Sequence, residues 1–305
     1  MISAALVVLV MQLGVSYFIV TERKGLGMIQ LRQGPNKAAF KGLGQPIADG
    51  VKLFLKQLNY PVASSMGSYL LGPGMLFFLS CLAWMIFPFT QAGYRYEWGL
   101  LYFLCVSSVH VFGVFVCGYA CSSRYGLLGA MRGVAQSISY EIIMSGVLFC
   151  PLLFVGSYDL VSCRSWGLLN GLMCFEGLLI WMVVMLAETN RTPFDFVEGE
   201  SELVAGYSVE YGGGAFALIA LAEYGNILFA SVVTVVLFFS GVGLWCILPY
   251  WYDLWLGVSS AFVCYVFIAV RGAVPRFRYD LLMRFCWLVM LPLALLIMGV
   301  CVLAV

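Results

Sequence analysis

The chain has 305 residues, of which 63% are hydrophobic and only 10% are charged, and its mean hydropathy is +0.98. Soluble domains contain about 25% charged residues, so these values exclude a soluble protein of this size. The composition predicts an all-α polytopic membrane protein, with residues 1–305 forming a single integral membrane domain. The net charge of +1 gives no indication of a nucleic-acid partner.

Eight apolar segments are long enough to cross a bilayer, for which a helix needs about 20 residues. No basic region and no small-residue cleavage site accompany the first segment, so we expect a retained span rather than a signal peptide. The predicted spans cover about 2–20, 68–90, 99–121, 134–156, 167–187, 215–240, 254–270 and 282–303.

An amphipathic helix is predicted between the first two spans, over about 43–58. Apolar residues recur there at helical spacing, and polar residues such as Asp49 fall on the other side. A helix that lies in the membrane interface has this pattern. A helix packed on a partner protein has it too, so both interpretations stay open.

The distribution of Lys and Arg predicts the orientation. Of the 16 cations, 14 lie on the odd-numbered predicted loops, 21–67, 122–133, 188–214 and 271–284. Cytoplasmic or matrix loops carry the excess of positive charge, so we expect these loops on that inner side and both termini on the other.

Residues 187–211 are the most polar part of this apolar chain, with Arg191 as their only cation. Mutual repulsion raises carboxyl pKa values, so such a cluster is suited to holding or passing protons. A solvated acidic loop is the alternative. The six carboxylates are Glu188, Asp195, Glu198, Glu200, Glu202 and Glu210.

Four acids lie within or at the end of predicted spans, where a charge is costly and acids are functional candidates. Each of them is also open to a structural role as a paired acid. Together with the 187–211 stretch, they predict a chain of carboxylates that leads from the inner surface into the membrane. The four are Glu141, Glu176, Glu188 and Glu223.

Arginines on the inner loops are the natural partners of these acids. Topology and lipid headgroups account for many loop arginines, but guanidinium groups also pair with carboxylates and lower their pKa values. The candidates are Arg23, Arg32, Arg132, Arg191, Arg271, Arg276 and Arg278.

Metal ligands do not cluster in the sequence. The 11 cysteines include no Cys-x-x-Cys pair, and the single histidine, His110, lies in an apolar run. Zinc and iron–sulfur sites need several such ligands at short spacing. We therefore expect no metal or iron–sulfur cluster in this chain, and we expect the cysteines to act as small apolar residues.

Several blocks, in order, resemble the subunit 1 family of the respiratory NADH:quinone oxidoreductase, complex I. The most specific block is AETNRTPFDFVEGESELVAGYSVEY over 187–211, which Ala222-Glu223-Tyr224 follows. The other blocks are Thr21-Glu22-Arg23-Lys24, Gln30-Leu31-Arg32 with Gly34-Pro35-Asn36, Gln45-Pro46 with Asp49, Val134-Ala135-Gln136 with Ile138-Ser139-Tyr140-Glu141, and Pro275-Arg276-Phe277-Arg278-Tyr279-Asp280.

The resemblance implies a subunit that joins the membrane arm of complex I to its peripheral arm and forms the membrane-proximal part of a ubiquinone chamber. Quinone is expected to enter between the first span, the amphipathic helix and the sixth span. The resemblance places Arg23, Arg32, Asp49, Phe216 and Arg271 in the chamber lining. It places Glu141, Glu188, Asp195, Glu198, Glu200, Glu202, Glu210 and Glu223 in a buried carboxylate path that couples quinone reduction to proton translocation.

The same resemblance implies the setting of the chain. Ubiquinone is the expected substrate, and the flavin and iron–sulfur clusters belong to partner subunits. The expected partners are the quinone-reducing peripheral-arm subunits, neighbouring membrane-arm subunits and membrane lipid. The mitochondrial inner membrane is the expected location, with the bacterial plasma membrane as the alternative.

Two other functions remain open from the sequence. A free-standing proton or ion transporter would also use carboxylates within eight spans. A membrane-anchoring subunit of a hydrogenase or a related ferredoxin-linked complex resembles this family. The blocks around Arg23, Arg32 and Asp49 favour the quinone subunit.

Overall fold

The computed structural model describes residues 2–58, 60–61, 64, 66–89, 96–197, 199, 206–240 and 249–304. Within this part of the chain, seven helices are long and apolar enough to cross a membrane, and an eighth span forms if one bent pair is counted. The predicted all-α polytopic fold is thereby confirmed. The helices are α1 Ile2–Ile29, α2 Gln45–Leu55, α3 Met66–Trp84, α4 Gly99–Ala120, α5 Arg124–Val155, α6 Leu160–Met173, α7 Phe175–Glu188, α8 Gly213–Phe239, α9 Pro249–Ala273 and α10 Tyr279–Ala304.

Two helices extend well beyond the apolar runs that predicted them. Helix α1 continues past residue 20 to Ile29, and α5 starts at Arg124 rather than near 134. The start of α5 is capped by Ser123, whose hydroxyl accepts a hydrogen bond from the amide of Gly126 at 3.2 Å. Hydropathy detects only the apolar part of a helix, so the placement of Arg132 in a loop was wrong, because it lies on α5.

The predicted span over 167–187 is two helices and not one. Helices α6 and α7 meet at Cys174 with a bend of 108°. Gly171 explains the direction of α6, because a Cβ there would overlap the carbonyl oxygen of Phe238 at the end of α8. Helix α7 alone is about 21 Å long, which is less than the hydrocarbon core. Glu176 is exposed in its first turn.

Helix α8 lies at the centre of the bundle and contacts α1, α2, α3, α7 and α9. The indole nitrogen of Trp84 on α3 donates to the carbonyl of Gly225 at 3.1 Å. The indole nitrogen of Trp181 on α7 donates to the hydroxyl of Thr234 at 3.1 Å. The single acid of α8, Glu223, therefore lies on a helix that is surrounded by other helices.

The predicted amphipathic helix is present as α2, and its apolar face is exposed, with Phe54 70% accessible. Helix α8 begins directly against its end. Gly213 has φ +60°, and a Cβ there would lie 3.0 Å from the carbonyl oxygen of Lys56. Glycine is the residue that tolerates both this backbone conformation and this close approach.

At the end of the bundle opposite the acidic stretch, Arg164 on α6 joins α9 to the segment that follows α3. Arg164, which is 2% exposed, forms an ion pair with Asp253 at 2.7 Å and donates to the carbonyl of Pro88 at 2.9 Å. The predicted spans over 134–156 and 167–187 left Arg164 in the loop between them, which was wrong because α6 already begins at Leu160. Its burial is possible because the guanidinium finds several partners at once.

Candidate functional site

The start of the acidic stretch is a turn that closes α7. The hydroxyl of Thr189 donates to the carbonyl of Met185 at 2.8 Å. Asn190 then adopts φ +49°, a left-handed conformation that asparagine tolerates after a helix end. This turn sends Arg191 back against the bundle, towards α1.

Glu22 on α1 is the centre of a charged cluster and is only 4% exposed. Arg191 donates to its Oε1 from Nη1 at 3.1 Å, and Arg271 on α9 donates to the same oxygen. The guanidinium of Arg191 also lies 4.2 Å from the ring centre of Tyr224 on α8. Burial opposes the charge of Arg191, but Tyr224 and Glu22 together raise its pKa above the ordinary value, so it stays a cation.

Glu22 has no predicted role, because the predicted first span ends before it. The signal was helical periodicity. Val15, Phe18 and Glu22 lie on one face of α1, and all three are buried. On a first helix that continues past residue 20, this periodicity places Glu22 on the face that packs against the rest of the bundle.

A second pair of contacts continues the cluster along α8. The hydroxyl of Tyr207 donates to the carboxylate of Glu223. Glu223 lies within electrostatic range of both Arg191 and Asp195, and Asp195 is paired with Arg276 at 3.0 Å. Acids and arginines thus alternate through the site, so the cluster is largely compensated inside the protein.

Gln136 on α5 holds the acidic stretch in place and was not singled out from the sequence. It is fully buried, and its amide nitrogen donates to the carbonyls of Ala187 and Phe194, both at 2.9 Å. Gly133, one turn earlier, packs against Val197, where a Cβ would lie 2.6 Å from a methyl group. The stretch is therefore bound tightly to α5 on this side.

Glu188 and Glu141 form the deeper part of the site. Glu188 ends α7 and is half-buried, and Glu141 is half-buried on α5. The two carboxylates lie within electrostatic range of each other. Like charges in apolar surroundings disfavour double ionisation, which makes this pair suitable for sharing protons.

The chamber residues implied by the resemblance fall into separate groups. Arg23 and Asp49 form an ion pair at 2.8 Å that joins α1 to α2, whereas Arg271 belongs to the Glu22 cluster. Arg32 is exposed after α1, and Phe216 is partly exposed in the first turn of α8. The described contacts do not join Arg32 or Phe216 to either group.

The remaining acids of the predicted path are less defined. Glu210 has an exposed side chain, and its backbone carbonyl accepts a hydrogen bond from the hydroxyl of Tyr69 at 3.0 Å. Burial raises the pKa of the neighbouring Tyr211 phenol above its ordinary value. Glu198, Glu200 and Glu202 lie outside the described residues.

An apolar groove of about 390 Å³ runs between α1, α8 and α9, with Phe18, Leu228 and Ile268 among its lining residues. Phe18 and Ile268 also line a smaller pocket that contains Glu22, Arg191 and Arg271. The groove therefore adjoins the charged cluster.

Comparisons with known proteins agree along the chain. Residues 2–302 match the family model described as NADH dehydrogenase. NADH-ubiquinone oxidoreductase chain 1 of Anopheles gambiae is 44% identical over 300 residues, which cover 97% of this chain and 92% of that protein.

Proteins of the same name in other animals are similarly close. The Heterololigo bleekeri protein is 45% identical over 282 residues, covering 92% of this chain and 89% of its own length. The Lampetra fluviatilis protein is 42% identical over 300 residues, which cover 96% of this chain and 92% of that protein. Because the match extends over almost its full length, the chain belongs to the NADH dehydrogenase family.

Proposed function

We propose that this chain is the first core membrane subunit of proton-pumping NADH:ubiquinone oxidoreductase, complex I, and that it works only within the assembled complex. The family match and the names of the relatives support this function over a free-standing transporter. Its partners are then the other complex I subunits and membrane lipid, and its location is the mitochondrial inner membrane.

The groove that leads to Glu22 is the observation that carries the more specific proposal, a ubiquinone chamber. Ubiquinone combines a long apolar tail with a head that carries carbonyl oxygens. An apolar route from the bilayer suits the tail, and cationic donors at its end suit the carbonyls. Arg271 and Arg191 are such donors, and Phe18 and Ile268 connect them to the groove.

The alternating charges suggest how quinone chemistry reaches the membrane interior. Reduction of the quinone head takes up negative charge and then protons, which changes the balance around Glu22 and Arg191. Arg191 transmits that change to Glu223, which lies within its electrostatic range. We assign the path onward to Glu188 and Glu141, with Asp195 and the remaining acids of 187–211 at its inner end.

A photoreactive ubiquinone analogue tests the chamber in the assembled complex. Labelled peptides should come from the groove, on α1 around Phe18 and Thr21 and on α9 around Ile268, and excess natural ubiquinone should suppress the labelling. The analogue without its tail should label these groove peptides much less. Labelling that is confined to other segments, or that natural ubiquinone does not suppress, would overturn the assignment.

A further inference from the structure

One oxygen of Glu188 lacks a partner where a carboxylate needs one. Its Oε2 is buried and accepts no hydrogen bond from any described residue. A buried acceptor without a partner costs free energy comparable to a lost hydrogen bond. Glu188 faces a cavity of about 40 Å³ between α3, α4, α7 and α8.

The lining of this cavity also contains a polar pair that the proposed carboxylate path does not use. His110 on α4 and Asn226 on α8 lie 3.0 Å apart, Nε2 to Nδ2, and both side chains line the cavity. When the amide donates to Nε2, the amide oxygen and the second amide hydrogen remain for other partners. The single histidine of the chain thus lines the same cavity as Glu188.

The other polar lining groups have their hydrogens committed. Ser107 donates to the carbonyl of Leu104 at 2.9 Å, and Thr189 donates to the carbonyl of Met185 at 2.8 Å. Neither hydroxyl hydrogen points to Glu188. Asn226 also lies one helical turn after Glu223 on α8, so one residue of the cavity lining is a helical neighbour of that acid.

We propose that this cavity is a water site, in which ordered water bridges Oε2 of Glu188 to the His110–Asn226 pair. A water needs roughly 10–15 Å³ of cavity volume and two to four polar partners, so the cavity has room for about three or four waters. Glu188, His110 and Asn226, which all line the cavity, supply the partners. The rest of the lining is largely apolar, with residues such as Leu79 and Phe103, and this confines the water to the neighbourhood of these polar groups.

The site gives His110 a positioning role that rests on the proposed carboxylate path. Water held by the His110–Asn226 pair solvates Glu188 when it is ionised and supplies a hydrogen-bonded route towards the turn that carries Glu223. Without the pair, Glu188 would face an apolar cavity, and ionisation during turnover would be more costly. His110 and Asn226 therefore set the hydration of Glu188 rather than touch the quinone.

His110→Leu and Asn226→Leu test this site in the assembled complex. High-resolution density should contain water between Glu188 and the pair in the parent complex and lose it in both variants. The vibrational bands of Glu188, assigned by their loss in Glu188→Gln, should shift in the Leu variants. Turnover should fall about fivefold, the effect of one lost hydrogen bond.

Two further variants keep the test independent of folding defects. His110→Gln retains a hydrogen-bonding group and should keep water density and most of the activity. Ser108→Ala alters a hydroxyl on the same helix that donates to the carbonyl of Cys105 and is not part of the cavity lining. It should change neither the bands nor the turnover.

The outcomes separate this site from the carboxylate path. Absence of water density in the parent complex, or Glu188 bands unmoved by His110→Leu, would overturn the water site. Normal proton pumping in Glu188→Gln would remove Glu188 from the carboxylate path. Even then, ordered water in the parent complex and shifted Glu188 bands in the Leu variants would establish the water site.

Discussion

Arg191 donates a hydrogen bond to Glu22 at 3.1 Å, although 169 positions separate the two residues in the sequence. The contact ties the acidic stretch to the first helix. Glu22 also accepts from Arg271 on α9, so one carboxylate organises two cations at the end of an apolar groove. This arrangement places a net positive charge where a quinone head is proposed to bind.

Replacing Glu22 with Gln should impair quinone reduction. The change removes the anion shared by Arg191 and Arg271 and leaves two neighbouring cations without compensation. We expect quinone reductase activity to fall at least about tenfold, the equivalent of 1.4 kcal/mol, whereas NADH oxidation by an artificial acceptor survives. Both rates are measured on the assembled complex.

Glu97→Gln is the matched control, because Glu97 is exposed at the other end of the bundle. It should leave both rates unchanged, and Glu22→Asp should recover part of the quinone activity. Full quinone activity in Glu22→Gln would show that the cluster does not take part in quinone binding.

Removing the hydroxyl of Tyr207 should weaken coupling at Glu223. The hydroxyl donates to the Glu223 carboxylate, and hydrogen bonds to charged groups contribute about 1.5–3 kcal/mol. Tyr207→Phe should therefore slow proton-coupled quinone reduction by about tenfold or more. Tyr125→Phe changes an exposed tyrosine on α5 and is the control, so equal rates in the two variants would contradict the role of this bond.

Gln136→Leu should destabilise the acidic stretch without touching a charge. The substitution keeps the approximate volume but leaves the carbonyls of Ala187 and Phe194 without their donor, at a cost of about 1–3 kcal/mol for each buried group. The assembled complex should then inactivate at a lower temperature. Gln57→Leu, at an exposed position, is the control. Identical inactivation curves for the two variants would show that Gln136 does not stabilise the acidic stretch.

The excess of Lys and Arg on the odd-numbered predicted loops predicts that Lys37 and Glu97 lie on opposite sides of the membrane. Both side chains are exposed, so Lys37→Cys and Glu97→Cys should each react with a membrane-impermeant thiol probe from one side only. Lys37→Cys should react from the inner side. Labelling of the unsubstituted complex gives the background from native cysteines. Labelling of both variants from the same side would refute the predicted topology.

Much of the fold was predictable because apolar length determines which segments cross a membrane. The helix bend at Cys174 was not, because it depends on how Gly171 packs against the carbonyl of Phe238, far away in the sequence. Hydropathy also ended α1 too early, and this hid Glu22.

The candidate site was predictable only in part. The acids of 187–211 stand out in an apolar chain, but a contact such as that of Asp195 with Arg276 joins residues that are distant in the sequence. Gln136 acts through its contacts with two backbone carbonyls, and a neutral amide gives no charge signal in the sequence. The pairing of His110 with Asn226 likewise depends on the tertiary structure, which brings α4 within hydrogen-bond distance of α8.

Proton uptake per quinone reduced, in sealed vesicles that contain the assembled complex, tests the central claim most directly. Glu→Gln keeps size and hydrogen bonding but removes the exchangeable charge, so Glu141→Gln and Glu223→Gln should assemble and should lose quinone turnover and proton uptake together. Glu→Asp at the same positions should be milder, because the carboxyl group remains. Normal quinone turnover with normal proton uptake in both Gln variants would contradict the carboxylate path and leave these acids with a packing role only.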